Sequence, residues 1–505
     1  MKYRHHLLSV IFIVTVLSCH KKNTFTDENL IKYVNPYIGT SFSTTPSILK
    51  HLQFASENKG QTVPAVGFPY ALTNWVPQTR VTEQKCIAPY YHHDSLFSGI
   101  RASHWMSGSC TQDYGSVTIM PVTGHPGFLA DQRQALFSHE DEVVSPAHYS
   151  VYLDGYDVLT QVTGKIYSGF IQAQSESHGD ITFVIEPNSD EGEGFIQIVP
   201  EKNEIIGYNP VHRIYQGWGN YAGFRGYFVM QFHDEFSEYG VWEKDEVFSD
   251  ENLAIGDGFG VGAYVTVSPG KANNARVKIG TSFTSLEAAR ENLKVEIDHW
   301  DFEQVKLEAT RAWNSALNQV QVEGGTDDQK SIFYSALYHA KLLPRVFSDA
   351  DGSYVGFADD SAVYQAVDYD YYVDFTTWDS YRAVQPLMTI LEPSRSLDIV
   401  KSLINKAEQG GWLPVFPCWN NYTSGMIGDH LISVIGDAYI KGINDFDIEN
   451  AYRYMRQNAF ESPETFEEYA DGKGRRALDS YLKYGYIPLE DTVKEAFQDR
   501  KSTRL

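Results

Sequence analysis

The sequence predicts a β + α multidomain protein: an antiparallel β-sandwich, then a helical linker, then an α-helical toroid. Three observations support this fold class. The chain has 505 residues, more than one typical domain requires. Its first half alternates short strand-like segments with turns, whereas apolar residues in the second half recur at helical spacing. Its composition, 42% hydrophobic and 21% charged, is typical of a globular protein with a core.

The N-terminus has the pattern of an export segment. A basic start precedes an apolar run over residues 7–17, which is too short to span a membrane. The run ends in a box similar to that of bacterial lipoproteins, so we expect lipidated Cys19 to become the N-terminus. The alternative is a plain secretion signal with an incidental cysteine. We predict a lipoprotein signal peptide (1–18), a tether (19–32), and secretion through the inner membrane as a periplasmic or outer-membrane lipoprotein.

Three further cysteines, Cys86, Cys110 and Cys418, follow in the chain. An odd number in an oxidising compartment leaves at least one thiol unpaired. Cys86 and Cys110 share one polar, loop-rich stretch, which makes them one candidate pair for a bridge. The absence of a C-x-x-C pair gives no indication of a zinc or redox site.

Composition also limits the partners. The net charge of -24 would repel a phosphate backbone, so we expect no nucleic-acid partner. Aromatic residues make up 14% of the chain. Aromatic faces stack on sugar rings, although large β-sheet proteins are also rich in tyrosine.

Residues 33–283 have the texture of a β-sandwich. Alternating segments rich in β-branched and aromatic residues are separated by Gly, Pro, Asn and Asp, with no long helical period between them. The strongest predicted strands are 116–120, 181–185, 227–232, 263–267 and 275–279.

Residues 284–325 are predicted to be a helical linker that begins with a capping box at Thr284 and Glu287. From residue 326 to residue 498 the period is helical, and we expect the first part of a toroid. The apolar face of its first helix is predicted to comprise Ile332, Phe333, Ala336, Leu337, Ala340 and Leu343. Further helices are predicted to end at Gly410-Gly411, to run from about Asp429 to Gly442, and to span 446–458.

Aromatic and charged residues cluster at the predicted helix starts, where toroids hold their ligands. Asp379 and Arg382 are three residues apart, so Asp379 would accept two sugar hydroxyls while Arg382 keeps it ionised. The alternative is an ion pair that braces the helix. Trp378 and Trp412 would wall the pocket, unless Trp412 is a core aromatic.

Other candidates lie outside this motif. Asp429 and His430 stand at a helix start, where Asp429 is otherwise an N-cap. In the β-domain, Trp75, His104 and Trp105 lie in loops predicted to reach toward a ligand, the alternative being ordinary packed loops. The predicted substrate-binding set is thus Trp378, Asp379, Arg382, Trp412, Asp429, His430, Trp75, His104 and Trp105. His139-Glu140 is interpreted as a satisfied turn, and no H-E-x-x-H or EF-hand pattern indicates metal ligands.

An ordered series of motifs resembles glycoside hydrolase family 92 over essentially everything after the signal peptide. The motifs are Tyr33–Thr40, Asp113–Val117, Phe137–Glu140, Phe333–His339, Trp378–Arg382, Gly410–Pro414, Gly425–His430, Asp437–Gly442 and Tyr484–Pro488. The resemblance implies a partial (α/α)6 barrel after the sandwich. It also implies calcium-dependent, exo-acting removal of α-linked mannose from a glycan, with inversion. Lys59 and Gln61 depart from the family's usual His and Asn, which leaves linkage and sugar open.

By this resemblance, Asp379 matches a substrate-contacting position rather than a catalyst. The family's catalytic acid, its base and most of its calcium environment lie in the later part of the barrel, beyond Leu505. We therefore assign no catalytic residue and no metal ligand, and we expect the chain alone to be inactive. Residues 499–505 resemble a translated sequencing adapter, so we hypothesise a non-native tail and an artificial truncation.

Two other functions stay open at this point. One is a different (α/α)6 glycosidase or phosphorylase with a β-sandwich, such as a glucoamylase-like enzyme. The other is a non-catalytic glycan-binding lipoprotein that keeps the sugar subsite.

Overall fold

The computed structural model describes residues 28–43, 45–46, 60–80, 86–124, 127–177, 179–189, 191–214, 220–270, 273–423, 425–426 and 428–488. The predicted signal peptide, Cys19, Lys59 and the 499–505 tail lie outside these residues. Within the described ranges, no helix is long and apolar enough to cross a membrane.

The N-terminal half consists of antiparallel strands, as predicted. The strands of the described residues are β1 (Asn74–Gln78), β2 (Leu96–Phe97), β3 (Gly99–Ser103), β4 (Val117–Val122), β5 (Ala135–Leu136), β6 (Val143–Ser145), β7 (His148–Leu153), β8 (Val158–Gly164), β9 (Ser168–Ser175), β10 (Ile181–Pro187), β11 (Phe195–Val199), β12 (Glu204–His212), β13 (Tyr221–Phe232), β14 (Phe236–Glu243), β15 (Glu246–Ser249), β16 (Leu253–Ile255), β17 (Val261–Val267), β18 (Ala275–Ser282), β19 (Arg345–Val346), β20 (Ser353–Val355), β21 (Val363–Gln365) and β22 (Tyr372–Val373). The five strongest predicted strands lie largely or wholly in β4, β10, β13, β17 and β18.

Two large sheets form the sandwich. One has the order β1-β3-β4-β10-β17-β14-β15, and the other β16-β11-β12-β13-β18-β9-β8-β7-β6. Their inner faces share one buried apolar core, to which Ile119 and Phe183 contribute from the first sheet and Ile171 and Ile279 from the second. The period-2 alternation of each strand produces this arrangement, because it directs every second side chain into the space between the sheets.

The second half is mainly helical. Among the described residues, the α-helices are α1 (Leu286–Glu296), α2 (Phe302–Leu317), α3 (Asp327–Ala340), α4 (Thr377–Ser380), α5 (Val384–Leu391), α6 (Pro393–Gly410), α7 (His430–Ile440), α8 (Ile448–Phe460), α9 (Phe466–Asp471) and α10 (Leu478–Tyr484). Short 3-10 helices occupy Leu30–Tyr33 and Pro200–Lys202. A β-rich domain is therefore followed by a helical region, while the (α/α)6 arrangement of that region stays a prediction.

The start of α1 differs from the prediction by one residue. Ser285 is the N-cap, and its hydroxyl accepts a hydrogen bond of 3.0 Å from the backbone N–H of Ala288. The hydroxyl of Thr284 instead donates to the carboxylate of Asp349, so it is not available to cap the helix. The capping box of this region lies at α3, where Thr326 and Gln329 satisfy each other's backbone N–H groups.

The buried face of α3 also differs from the prediction. Ile332 is 65% exposed, whereas Tyr334, Leu337 and Tyr338 are buried. The two tyrosines can face inward because their hydroxyls donate to backbone carbonyl groups, at 3.1 Å for Tyr334 and 2.8 Å for Tyr338. A count of apolar residues alone does not identify this face.

Cys86 and Cys110, the pair that the sequence offered as a candidate, form a disulfide. Cys418 is a buried free thiol. The bridge closes a loop of the sandwich domain, between the end of β1 and the start of β4.

Candidate functional site

The Trp378 to Arg382 motif lies on α4 and the turn after it. Trp378 is half-buried, and Asp379 and Arg382 are exposed. The predicted pairing of Asp379 with Arg382, both in the described part of the chain, is not formed. The Arg382 guanidinium lies instead 4.7 Å from the ring centroid of Tyr381. The pKa of Asp379 is raised, because neighbouring protein atoms desolvate its carboxylate.

A ring stack joins this motif to the start of α7. The rings of Tyr381 and His430 lie 4.1 Å apart between centroids and 14° from parallel. Gly428 allows this approach, since its φ is +96° and an added Cβ would lie 2.5 Å from Nε2 of His430. The structure therefore brings Trp378, Asp379, Arg382 and His430 into one region, although the chain separates them by about fifty residues.

Asp429 precedes α7 but does not cap it, because its side chain accepts no capping hydrogen bond. Its Oδ2 atom is buried and has no hydrogen-bond partner among the described residues. Burial raises the pKa of Asp429 to about 6, and the contact with Asn458 and the charge of Arg475 offset part of this rise. A buried carboxylate oxygen without a partner is a ready hydrogen-bond acceptor.

Asn458 is a site residue that the sequence reasoning missed. It is fully buried, and its amide donates to the carbonyl of Leu413 at 2.8 Å and to Asp429 at 3.4 Å. It thereby fixes the turn after α6 relative to the start of α7. The only sequence signal for it is an amide on the apolar side of a predicted helix.

Trp412 is mainly a packing residue. It is 9% exposed and clusters with Phe357 and Tyr422. The Tyr422 hydroxyl accepts a hydrogen bond from the backbone N–H of Trp412 at 3.1 Å and donates one to the backbone carbonyl of Trp412 at 2.6 Å. This placement fits the alternative that Trp412 is a core aromatic rather than a stacking wall.

A buried ion pair beneath the motif was also missed. Arg345 donates to Asp374 at 2.8 Å, and both side chains are fully buried. Asp374 also accepts from the Tyr114 hydroxyl at 2.7 Å and from the backbone N–H of Trp419 at 2.9 Å. Asp374 lies three residues before α4, so this network sets the position of the motif relative to the sandwich.

His104 and Trp105 belong to the same support. Arg345 donates to the carbonyl groups of His104 and Trp105, at 2.8 and 2.9 Å. Nδ1 of His104 lies 2.6 Å from the carbonyl of Tyr114 and therefore carries the proton. Burial, with a contribution from the Arg345 charge, lowers the pKa of His104 to about 3. Both side chains are buried, so their loops pack instead of reaching toward a ligand.

Trp75 lies in the core of the sandwich. It is fully buried on β1 and donates from Nε1 to the carbonyl of Ser168 at 3.2 Å. A Cβ added at Gly169 would lie 2.1 Å from the indole, so the glycine makes room for the ring. The expectation that Trp75 contacts substrate does not fit this placement.

The described residues offer no assignable calcium site. Among them, His92, His139 and Glu142 of the sandwich domain are the group of three whose spacing suits a metal ion. Two imidazole nitrogens do not match the oxygen shell that Ca²⁺ requires. We therefore assign no calcium ligand among the described residues.

Comparisons with known proteins agree with the motif series. The model of the glycosyl hydrolase family 92 N-terminal domain matches residues 33–282, and that of the family 92 catalytic domain matches residues 288–504. A secreted glycosidase of Arthroderma benhamiae is 22% identical over 497 residues, which is 92% of this chain and 56% of that protein.

Solved structures of family 92 enzymes also match this chain. A family 92 inverting mannosidase of Bacteroides thetaiotaomicron is 28% identical with a TM-score of 0.79, over 91% of this chain and 59% of that one. A family 92 α-mannosidase of the same organism, also solved with mannoimidazole, is 24% identical with a TM-score of 0.78, over 93% of this chain. The chain thus spans less than three fifths of the length of these relatives. With both family models matched in order along it, the chain belongs to glycosyl hydrolase family 92.

Proposed function

We propose that this chain carries the sugar-holding part of an inverting glycoside hydrolase that removes terminal α-linked mannose from glycans. Family membership supports the glycosidase class. The inverting action and the mannose preference are proposed because solved relatives with those descriptions share the fold.

The observation that carries the proposal is the junction of α4 and α7. There Asp379 is an exposed acceptor beside the half-buried Trp378, and Asp429 holds a carboxylate oxygen without a partner. We assign the carboxylates to hydrogen bonds with adjacent ring hydroxyls and Trp378 to the apolar face of the ring. Arg382 and His430 contact Tyr381 and border the same region.

Inversion requires one carboxylic acid at the leaving oxygen and one carboxylate that activates water, about 6.5–9.5 Å apart. We assign neither role to a described residue. Asp379 and Asp429 are proposed as binding groups, and calcium dependence, which the family resemblance implies, is part of the proposal without assigned ligands.

Calorimetry with sugars tests the subsite. Mannoimidazole and methyl α-mannoside are expected to bind, and methyl α-glucoside, which differs at C2, to bind at least about tenfold more weakly. Equal binding of the two glycosides would rule out a mannose-specific subsite. For hydrolysis by the full-length gene product, proton NMR of α-mannobioses is expected to show β-mannose as the first product with calcium and no release of mannose with a chelator. α-Mannose as the first product would exclude inversion.

We further propose that the protein is exported and anchored through lipid on Cys19. The apolar run before Cys19 supports this, as does the description of the Arthroderma relative as secreted. Labelling with radioactive palmitate is expected to mark the wild type but not Cys19→Ser. Equal labelling of both would refute the anchor.

A further inference from the structure

We propose that His92, His139 and Glu142 bind a divalent transition-metal ion of the zinc class in the sandwich domain. His92 lies in the loop before β2, and His139 and Glu142 lie in the turn between β5 and β6. The site is separate from the α4–α7 region described above, and it concerns a different metal class from calcium.

The geometry brings three donor atoms together. One ligand atom from each residue lies within 4.8 Å of the other two. The two imidazole rings are 4.1 Å apart between centroids, and Nδ1 of His139 lies 2.5 Å from Oε2 of Glu142. Ligands around a tetrahedral zinc ion, with bonds of about 2 Å, are spaced about 3.3 Å apart, so small side-chain rotations suffice.

The chemistry of the donor set selects the metal. Two imidazoles and one carboxylate form a set that binds zinc and leaves one coordination position open. Ca²⁺ and Mg²⁺ prefer oxygen ligands, and the two nitrogens disfavour them.

Hydrogen bonds from two tyrosine hydroxyls already orient the carboxylate of Glu142. The Glu142 side chain is fully buried and accepts from the Tyr90 hydroxyl at 3.0 Å and from the Tyr149 hydroxyl at 2.5 Å. The ring of Tyr37 packs against that of His92, with 5.0 Å between the two centroids. Outer partners of this kind hold metal ligands in position.

The ion would connect two segments that are separate in sequence. His92 belongs to the stretch closed by the Cys86–Cys110 bridge, and the other two ligands belong to the β5–β6 turn. Binding to the folded state alone stabilises it, so zinc is expected to raise the melting temperature. His139, which the sequence alone assigns to a satisfied turn, then acquires a second role.

Cobalt is the probe for the test, because Co²⁺ replaces zinc and absorbs visible light. The untagged full chain is titrated with Co²⁺ and then with Zn²⁺ as competitor. One equivalent is expected to bind with a tetrahedral-type spectrum. His92→Ala and His139→Ala are expected to lower the affinity on the order of 100-fold, while His93→Ala, an exposed neighbour, leaves it unchanged.

Circular dichroism shows whether each variant is folded. If the alanine variants unfold, Glu142→Gln decides the question, since it keeps the size of the side chain and one acceptor oxygen for the tyrosine hydroxyls but loses the anionic ligand. The same variants should lose the rise in melting temperature caused by zinc. Binding of equal stoichiometry and affinity in the wild type and the ligand variants, or no binding at all, would overturn the proposal.

Discussion

Asp379 lies in the predicted motif but does not form the predicted ion pair. The sequence spacing predicts an ion pair with Arg382, but the guanidinium lies over Tyr381. The carboxylate is therefore available for a ligand, and the energy of desolvating it raises its pKa.

Asp379→Ala is expected to weaken mannoimidazole binding by about 100-fold or more, because two hydrogen bonds to a charged group are lost. Asp437→Asn is the matched control, since Asp437 lies on α7 but pairs with Lys441 at 2.7 Å. Calorimetry on both variants measures the effect. Unchanged affinity in Asp379→Ala would contradict the assignment.

Asp429 predicts a pH dependence of stability. Its folded-state pKa is raised from 3.8 to about 6. Between these values the folded state binds more protons than the unfolded state, so stability falls as pH rises through this window and then levels off.

Asp429→Asn removes this dependence, because the amide does not titrate. The variant is expected to gain stability relative to the wild type between about pH 4 and 6, by at most about 3 kcal/mol. Urea denaturation at several pH values measures the difference. Parallel stability–pH curves for the wild type and Asp429→Asn would show that Asp429 is not the titrating group.

At the scale of elements, local sequence patterns predict where helices and strands lie. They predict less well which residue caps a helix and which side chains face the core. The five strongest strands agree with the structure because alternation is a property of neighbouring residues. The buried face of α3 differs because Tyr334 and Tyr338 satisfy their hydroxyls in the interior.

The N-cap of α1 can be tested directly. Ser285→Ala is expected to lower the free energy of unfolding by about 1 kcal/mol, because the Ala288 N–H loses its partner. Glu287→Ala is expected to cost only a few tenths of a kcal/mol, since Glu287 contributes mainly through the helix dipole. Urea denaturation separates the two. A larger loss in Glu287→Ala would restore the predicted capping box.

At the scale of the whole molecule, Arg345 and Asp374 connect the sandwich to the helical region. Arg345→Met leaves Asp374 buried and uncompensated and is expected to cost about 3–5 kcal/mol. Arg80→Met is the control, because the Arg80 side chain is 43% exposed and its pair with Asp94 contributes at most about 1 kcal/mol.

Chemical denaturation of these two variants measures how much free energy of unfolding each one loses. Weaker mannoimidazole binding in folded Arg345→Met is also expected, since Asp374 lies three residues before α4. Equal losses of stability in the two arginine variants would show that the buried pair contributes no more to folding than the exposed one.

The sequence by itself determined the two-part fold, the strongest strands, the family resemblance and the motifs that contain Asp379 and Asp429. These features depend on residues close together in the chain, through periodicity, turn chemistry and ordered motifs. Only the tertiary structure decided that Trp75, His104 and Trp105 are buried and that Asn458 and Arg345 support the site. Such roles depend on contacts between distant residues, for example Tyr114 with Asp374, 260 positions apart. No local pattern encodes these pairs, because they exist only once the sandwich and the helices have packed together.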